Sequence, residues 1–525
     1  MNVNYSLLFF YGCIAITFYV IHLLCRNDEN HDINAPKLLI QYSKLKTEFI
    51  RVGHFIGRNG TKYPGVIPAE SLHTYACGET GSGKSTYLCT KAMGYLSSKT
   101  PNSICVIEPH YSLSRDLALL ALCEEYEVYR ISPSLEDGII TPFSPQFLFQ
   151  GLDRNSQTSF LVDSLQQHFS SISSSSPVML FTLRACLELL DDLPMFLLPE
   201  IYRNAGFRKK LLSEAKNLSK FTRDFFKEFE NLSRSQREAK FFPAINKIEN
   251  LHSDLGLLYL FGQPSPARYS IDIEEVINTK KTLLIVDLNR ASNPSSAAII
   301  GTLVMNIIRQ VIFRRKIKKM DYPMCHLFAD EFQAYTNPNL SIFLAEARKY
   351  KIAVTLSNQF PGQIDNLRLR EELRVNTNIN VSFSLPEHHA KFFGNQFGEN
   401  TSQRIANLPK YRALLLDKRY KKHPVMLETI PTDLPDKDPF FFGTIPVKEA
   451  KENVEQLIDE VEALQEKVQV SVQKKKNNKP RELPKEKPVT KKVQETTVDT
   501  KKKKSIPDRF SELKQHLGKR KGKKK

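Results

Sequence analysis

A glycine-rich segment able to hold phosphate groups follows a short apolar run near residue 77. It reads Gly78-Glu79-Thr80-Gly81-Ser82-Gly83-Lys84-Ser85-Thr86 and fits the pattern GxxxxGK[ST]. Glycines at this spacing let successive backbone N–H groups turn toward phosphate oxygens, Lys84 brings a cation to the β- and γ-phosphates, and Ser85 offers a hydroxyl to Mg²⁺. We therefore predict that these nine residues bind a nucleotide, ATP, together with Mg²⁺.

A second segment supplies the acidic groups that nucleotide hydrolysis needs. The apolar run from Cys325 to Ala329 ends in Asp330-Glu331. We predict that Asp330 holds Mg²⁺ through its water shell and that Glu331 is the general base for the attacking water. An Asp-Glu pair is a weak signal alone, because exposed loop carboxylates are common, but the phosphate-binding segment upstream strengthens it.

Two further polar residues could respond to the γ-phosphate. Arg348 ends a helical segment, and Gln359 comes just after the predicted strand from Ile352 to Leu356. Phosphoryl transfer needs a positive group against the developing charge and a polar group that contacts the phosphate. The predicted catalytic set is therefore Lys84, Glu331, Arg348 and Gln359, with a solvated helix charge as the alternative for Arg348.

The elements that must position these residues alternate between strand and helix. Apolar runs predict strands at Leu72 to Cys77, Lys281 to Leu288 and Ile379 to Phe383, and helical patterns lie between them. This alternation predicts an α/β fold. Between its two halves, roughly residues 153–266, apolar residues recur at steps of three and four, which predicts an inserted helical bundle: Leu180, Leu183, Leu187, Leu190, Phe221, Phe225 and Phe229.

Composition excludes collagen-like, wholly disordered and small disulfide-linked proteins, since 525 residues are 41% hydrophobic and 25% charged. The net charge of +18 is concentrated at one end: residues 474–525 hold 21 Lys/Arg and 6 Asp/Glu, which leaves 54 and 51 for the rest. Overall charge therefore says nothing about nucleic-acid binding by the folded part. The eight cysteines include no CxxC pair, as expected for reduced thiols.

A 19-residue run from Ser6 to Leu24 has no charged side chain and is just long enough to span a bilayer. We predict a single transmembrane helix within residues 1–26. The alternatives are a cleaved signal peptide, which lacks a preceding cation and a small-residue cleavage site, and a buried core helix. Basic residues after the run favour a plasma (inner) membrane protein whose bulk is cytoplasmic.

The C-terminal part changes pattern twice. Apolar residues alternate at steps of three and four over residues 446–471, which predicts either a short coiled coil or a lone amphipathic helix docked on the body: Val447, Ala450, Val454, Leu457, Val461, Leu464 and Val468. Residues 472–525 are Lys-rich and include Pro480, Pro484 and Pro488, which predicts a disordered basic tail. Its charge suits DNA phosphates or anionic lipid, and a solubilising tail without a partner is the alternative.

From about residue 65 to 430 the ordered set of segments resembles the FtsK/HerA branch of P-loop motor ATPases. It is most similar to the coupling proteins of type IV secretion, the TraG/TraD-like membrane ATPases of conjugation. The resemblance includes Glu108-Pro109 in place of the family's Asp-Pro, Asp330-Glu331-Phe332-Gln333 as its Walker B ending, Ser357-Asn358-Gln359 after the next strand, and Asn376 before the last one.

The resemblance implies a RecA-like core with residues 65–152 and 267–445 as the nucleotide-binding domain, 27–64 as a membrane-proximal linker and 153–266 as an all-α inserted domain on the cargo side. It also implies a homo-hexameric ring that uses ATP to move DNA, expected to be single-stranded and relaxase-bound, in contact with relaxosome and secretion-channel proteins. The alternatives are a DNA pump for segregation or packaging, a protein-secretion ATPase without DNA, and a nucleotide-binding membrane scaffold. Many coupling proteins have two N-terminal spans, whereas this sequence shows one.

Overall fold

A computed structural model describes residues 34–477, apart from residues 46, 58, 71–72, 111, 144–153, 171–175, 216, 265–270, 291–292, 319, 336–339, 399–400, 421–423 and 432–437. The predicted transmembrane helix lies outside the described residues, and so does the tail beyond Asn477. The chain divides into a unit of Met1–Ser471 and a unit of Val472–Lys525. All contacts reported below belong to the first unit.

The described part is mixed α/β. Its strands are β1 (Phe49–Ile56), β2 (Lys62–Pro68), β3 (Thr74–Cys77), β4 (Ser103–Glu108), β5 (Glu127–Ile131), β6 (Ile139–Ile140), β7 (Thr282–Asp287), β8 (Cys325–Ala329), β9 (Ile352–Asn358), β10 (Ile379–Ser382), β11 (Arg412–Asp417), β12 (Val425–Glu428) and β13 (Ile445–Pro446). Helices before the second half of the sheet are α1 (Asn34–Ser43), α2 (Lys84–Leu96), α3 (Ser112–Cys123), α4 (Arg154–Ser170), α5 (Pro177–Leu190), α6 (Leu198–Arg203), α7 (Ala205–Glu214), α8 (Lys220–Asn231), α9 (Arg234–His252), α10 (Leu255–Phe261) and α11 (Ile273–Asn278). The remaining helices are α12 (Pro294–Lys318), α13 (Leu340–Ala347), α14 (Leu367–Asn376), α15 (Glu387–Phe397), α16 (Thr401–Ala406) and α17 (Val447–Asn477).

One large sheet has the strand order β2-β1-β12-β11-β10-β3-β9-β8-β4-β7-β5. The strands from β10 to β5 run parallel, while β11, β12, β1 and β2 extend the sheet with antiparallel pairs. Parallel strands all end at the same side, here called the carboxyl edge, and all begin at the opposite amino edge. Strand β3, the first of the parallel strands in the chain, lies in the middle of the order, so that the later strands β10 and β9 flank it on both sides.

The parallel strands inside the sheet are buried along their whole length, while the edge strand β5 is buried in part. Every residue of β3, β4, β7, β8 and β9 is buried, as continuous apolar runs predict for parallel sheets. The predicted strand positions are confirmed to within two residues wherever they are described. Of the described helices, α12 alone is long and apolar enough to cross a membrane, but 78% of its apolar window is buried. It is a buried helix that contacts α4, α11 and α13.

Helices α4 to α10 lie between the strands β6 and β7 in the chain and form their own apolar contacts. Phe225, Phe229 and Phe241 bring their rings within 6 Å of one another. Helix α17 packs on this helical region: the side-chain amide of Asn204 donates to the carbonyl of Val461 at 2.7 Å, and Gln263 donates to Ala450 at 3.1 Å. The apolar stripe of residues 446–471 thus contacts the same chain, and a coiled coil with another chain stays a prediction.

Candidate functional site

The phosphate-binding loop joins the end of β3 to the start of α2. Glu79, Thr80, Gly81 and Ser85 are exposed, Thr86 is half-buried, and Gly78, Ser82, Gly83 and Lys84 are buried. Gly83 has φ +109° at the helix N-cap, and a Cβ there would lie 2.9 Å from the Cα of Tyr411. Glycine is required at this position both by the backbone conformation and by the neighbouring chain.

Neighbouring strands hold the loop through backbone hydrogen bonds. The N–H of Gly78 donates to Asn358 at 3.4 Å, that of Glu79 to Ser384 at 3.1 Å, and that of Tyr411 to Ser82 at 2.8 Å. The hydroxyl of Ser82 is buried and has no hydrogen-bond partner among the described residues. An unsatisfied buried hydroxyl inside a glycine-rich loop at a helix N-terminus is what an anion-binding loop provides.

Two carboxylates face this loop from the end of β8. The ammonium of Lys84 lies 2.8 Å from Oε1 of Glu331 and 3.6 Å from Oδ1 of Asp330. All three residues are buried, each at most 8% exposed. Glu331 has φ +48°, an uncommon backbone conformation for a residue with a side chain. Such local strain concentrates at functional sites, where surrounding contacts hold it in place.

The charges in this group stabilise one another. Burial alone would raise the pKa of Glu331, but the Lys84 ammonium and hydrogen bonds from Lys84, Gln333 and Gln359 outweigh burial and lower the pKa below its usual range. Burial would lower the pKa of Lys84, but Asp330 and Glu331 raise it above its usual range. Glu331 is therefore ionised at neutral pH, which is the state that a general base requires.

Sequence reasoning placed Gln359 at this site and missed two of its neighbours. Gln359 follows β9 and hydrogen-bonds Glu331. Gln333 donates to the other oxygen of Glu331 at 2.6 Å, and Ser357 donates to Asp330. A glutamine two residues after the Asp-Glu pair and a serine one strand away carry no spacing signal, so only the fold shows that they orient the carboxylates.

Arg348 does not join the site of its own chain. It begins the short 3₁₀ helix Arg348–Tyr350, just before β9 starts, and its side chain is exposed. It is close enough to His73, ahead of β3, to help burial lower the pKa of that histidine to about 4. Both residues lie at the amino edge, and the seven residues of β9 put about 20 Å between Arg348 and the phosphate-binding loop.

Glu108, which stands where the resembled family has an aspartate, binds the start of a helix. Its carboxylate accepts hydrogen bonds from the N–H of Ser114 at 2.9 Å and from the Ser114 hydroxyl, at the start of α3. Burial, followed by repulsion from Asp287 on the adjacent strand, raises its pKa well above the usual range. Asp287 in turn is paired with Arg130 at 2.8 Å. Glu108 and Asp287 thus lie next to each other at the carboxyl edge, on the two strands that come after that of Asp330 in the sheet order.

The residues present fit a nucleotide with Mg²⁺. Ser85 is exposed at the first turn of α2, and Asp330 presents a carboxylate at the end of β8, two strands from β3 in the sheet. Among the described residues no group of three or more His, Cys, Asp or Glu side chains could hold a metal by itself. Mg²⁺ does not need such a group, because it keeps several waters and binds through one or two side chains plus substrate phosphates.

Known proteins match this chain in structure, whereas the sequence comparisons found no match. No protein-family profile matches the chain, and no curated protein matches it. The bacterial conjugative coupling protein TrwB, in its unbound monoclinic form, is similar in structure with a TM-score of 0.50 and 13% identity over 77% of this chain and 93% of that one. VirB4 of Thermoanaerobacter pseudethanolicus gives a TM-score of 0.48 and 11% identity over 74% and 98%. TrwB with ADP and Mg²⁺ gives 0.49 and 14% over 75% and 98%.

At these identities the likeness concerns the fold alone. The predicted resemblance is confirmed at that level: the described part of the chain has a RecA-like α/β fold similar to that of the TrwB structure.

Proposed function

We propose that the protein is a membrane-anchored ATPase that moves DNA through a conjugative or type IV secretion channel. The observation that carries the ATPase part is the buried group of Lys84, Asp330 and Glu331 directly beneath the phosphate-binding loop. A cation, a metal-binding carboxylate and an ionised general base are the three groups that phosphoryl transfer to water uses. Their side chains come from two segments 247 residues apart in sequence.

Each residue of the group has a defined task. The N–H groups of the loop and the ammonium of Lys84 would bind the β- and γ-phosphates. Ser85 and Asp330 would hold Mg²⁺, which neutralises phosphate charge when bound. Glu331 takes the proton of the attacking water, and Gln333 and Gln359 keep its carboxylate ionised and oriented. Since Asp330 accepts from Ser357 and from the backbone N–H of Glu331 at 3.0 Å, it is held in place as well.

The cargo and location are carried over from the family resemblance. The TrwB structure is named as a conjugative coupling protein. By analogy, this protein would be anchored in the inner membrane by residues 6–24 and would form a homo-hexamer. It would move single-stranded, relaxase-bound DNA, with the helical region toward relaxosome and channel proteins. The Lys-rich tail would add nonspecific affinity for DNA or lipid.

The test is steady-state ATP hydrolysis by the full-length chain in detergent or vesicles, with and without single- and double-stranded DNA. We expect DNA-stimulated turnover that is lost in Lys84→Ala and in Glu331→Gln. Glu331→Gln should still bind ATP, because it removes the base and leaves the phosphate ligands. Turnover that is equal in wild type and Glu331→Gln under every condition would contradict the ATPase and favour a nucleotide-binding scaffold.

A further inference from the structure

Two stacked aromatic rings and a third ring tilted against them lie at the carboxyl edge beside the phosphate-binding loop, and the three are here called the stack. The rings of Phe360 and His389 are 4.3 Å apart between centroids and inclined by 17°, and the ring of His388 lies 3.9 Å from that of His389 at an inclination of 45°. His388 is exposed, and the other two are half-buried. The outer face of His388 and the edges of the inner rings are therefore open to a planar ligand.

The stack is assembled from both strands that flank β3. Phe360 follows β9, whereas the two histidines begin α15, which follows β10. The carbonyl of Ser384, between β10 and α15, accepts the N–H of Glu79 in the phosphate-binding loop. The rings therefore sit over the end of β3, within a few residues of the loop on either side.

A tight turn connects the stack to the hydrolytic site. Gln359, which hydrogen-bonds Glu331, is the residue immediately before Phe360. The side-chain carbonyl of Gln363 accepts the N–H groups of Gln359 and Phe360 at 2.9 and 3.3 Å, and Asn358 donates to the carbonyl of Phe360 at 2.8 Å. These hydrogen bonds hold Gln359 and Phe360 in one turn, so that the residue that contacts Glu331 and the residue that carries the ring are adjacent and fixed by the same partners.

The surroundings suit a nucleic-acid strand. Burial, followed by the charges of His388 and Arg370, lowers the pKa of His389, so that this ring is neutral near pH 7 and stacks as an aromatic. Lys391, one turn into α15, is exposed, and the first N–H groups of this helix have no side-chain cap. Flat rings beside cationic and N–H groups are how proteins bind the bases and phosphates of single strands.

We propose that Phe360, His388 and His389 form a stacking platform for the bases of single-stranded DNA, and that the turn 358–363 couples this platform to nucleotide hydrolysis. This inference rests on the proposed DNA-moving function and adds the contact site and the strand state. Base faces are accessible only in unpaired DNA, so the platform selects single strands over duplex.

The test compares the wild type with the double variant His388→Ala/His389→Ala in the full-length chain. Anisotropy of a fluorescein-labelled 30-mer of thymidines measures binding, and phosphate release with and without the 30-mer measures coupling. We expect at least about ten-fold weaker binding of the 30-mer in the double variant. Basal hydrolysis should remain and DNA stimulation should be lost. His388→Phe keeps a ring and should retain both, and Phe440→Ala, an exposed ring elsewhere in the chain, is the matched control.

The possible failures are distinguishable. A wild type that hydrolyses ATP but neither binds nor responds to any DNA contradicts the DNA function and the platform together. A wild type stimulated by DNA beside a double variant stimulated to the same extent contradicts the platform alone. Equal loss of 30-mer and duplex binding would contradict base stacking, because a duplex offers its phosphates and not its base faces.

Discussion

At the residue scale, the site depends on how one carboxylate is held. Both oxygens of Glu331 accept hydrogen bonds, Oε1 from Lys84 at 2.8 Å and Oε2 from Gln333 at 2.6 Å, and Gln359 adds a third. Donors aimed at a carboxylate favour its ionised form. The pKa of Glu331 is therefore lowered mainly by Lys84, and Gln333, to which no contact with the nucleotide is assigned, lowers it further.

Replacing Gln333 tests this dependence. Gln333→Ala removes a donor, so the pKa of Glu331 should rise and the acid limb of the kcat–pH profile should move to higher pH. The expected shift is about one pH unit, because a hydrogen bond to a charged group contributes about 1.5–3 kcal/mol and about 1.4 kcal/mol equals one unit. Gln456→Ala, on the exposed side of α17, is the control and should leave the profile unchanged. Superposable profiles for Gln333→Ala would exclude the role.

The loop glycines provide a matched pair for backbone strain. Gly81 and Gly83 both have positive φ, but a Cβ on Gly81 meets nothing within 4 Å, whereas one on Gly83 meets the backbone of Tyr411 at 2.9 Å. Gly81→Ala should cost only the left-handed strain of about 1–2 kcal/mol. Gly83→Ala should lower the melting temperature further and abolish binding of a fluorescent ATP analogue. Equal melting temperatures would show that the loop moves away from Tyr411 freely.

Sequence patterns anticipated the residues of this site unevenly. Lys84, Asp330 and Glu331 carry recognisable spacing, because a glycine loop and a strand ending in carboxylates are local in sequence. Gln333 and Ser357 were not predicted, because their roles depend on strands β8 and β9 lying side by side. Arg348 was predicted from its place after a helix, and the fold puts it at the opposite edge from the nucleotide loop of its own chain.

At the element scale, helix α2 is attached to the sheet through a buried lysine. The ammonium of Lys91 donates to the hydroxyls of Thr74 at 2.7 Å and Thr355 at 2.8 Å, under the helix that follows the phosphate-binding loop. Lys91 is 1% exposed, and burial lowers its pKa to about 7. The helix that positions Lys84 and Ser85 therefore contains a group that titrates near neutral pH.

The stability of the fold should report this titration. The folded chain loses the Lys91 proton above about pH 7, whereas the unfolded chain keeps it to about pH 10.4. The unfolded state binds more protons in that window, so the free energy of unfolding rises with pH there, by at most about 1.4 kcal/mol per unit. Lys91→Met should be more stabilising at pH 6 than at pH 9, as followed by circular dichroism since the chain has no tryptophan. Lys448→Met, at an exposed ion pair on α17, should show no such trend.

In the C-terminal helix α17, the heptad period of the sequence does not predict all the buried residues correctly. The heptad pattern put Leu457 on the apolar seam, but the structure buries Ala450, Val454, Ile458 and Val461 against the helical region. A straight helix of 3.6 residues per turn drifts away from a 3.5-residue seam, so a helix docked on a globular surface follows steps of four. The sequence predicted the helix, and only tertiary packing selects its face.

At the scale of the whole molecule, the two edges of the sheet carry different groups. The carboxyl edge has the phosphate-binding loop with Asp330 and Glu331, while exposed cations at the amino edge precede the strands: Lys280, Arg348, Lys349 and Lys351. A head-to-tail contact between copies would set the amino edge of one against the carboxyl edge of the next, and contacts of this kind form a ring where the rotation between copies closes. In such a ring Arg348 could reach only a neighbour's nucleotide.

Mixing two inactive variants tests whether Arg348 acts on a neighbour. Arg348→Ala should lose about 10³-fold or more in kcat, as expected for an arginine supplied in trans, and Glu331→Gln lacks the base. In a mixture, an Arg348→Ala chain keeps its own Glu331 and receives Arg348 from a Glu331→Gln neighbour. Random mixing at equal amounts makes about one site in four complete. Full activity of Arg348→Ala alone would show that Arg348 is only a solvated charge. A mixture without recovered activity would contradict the action of Arg348 on a neighbour's nucleotide. Action on the nucleotide of its own chain is not the alternative, because about 20 Å separate Arg348 from its own phosphate-binding loop.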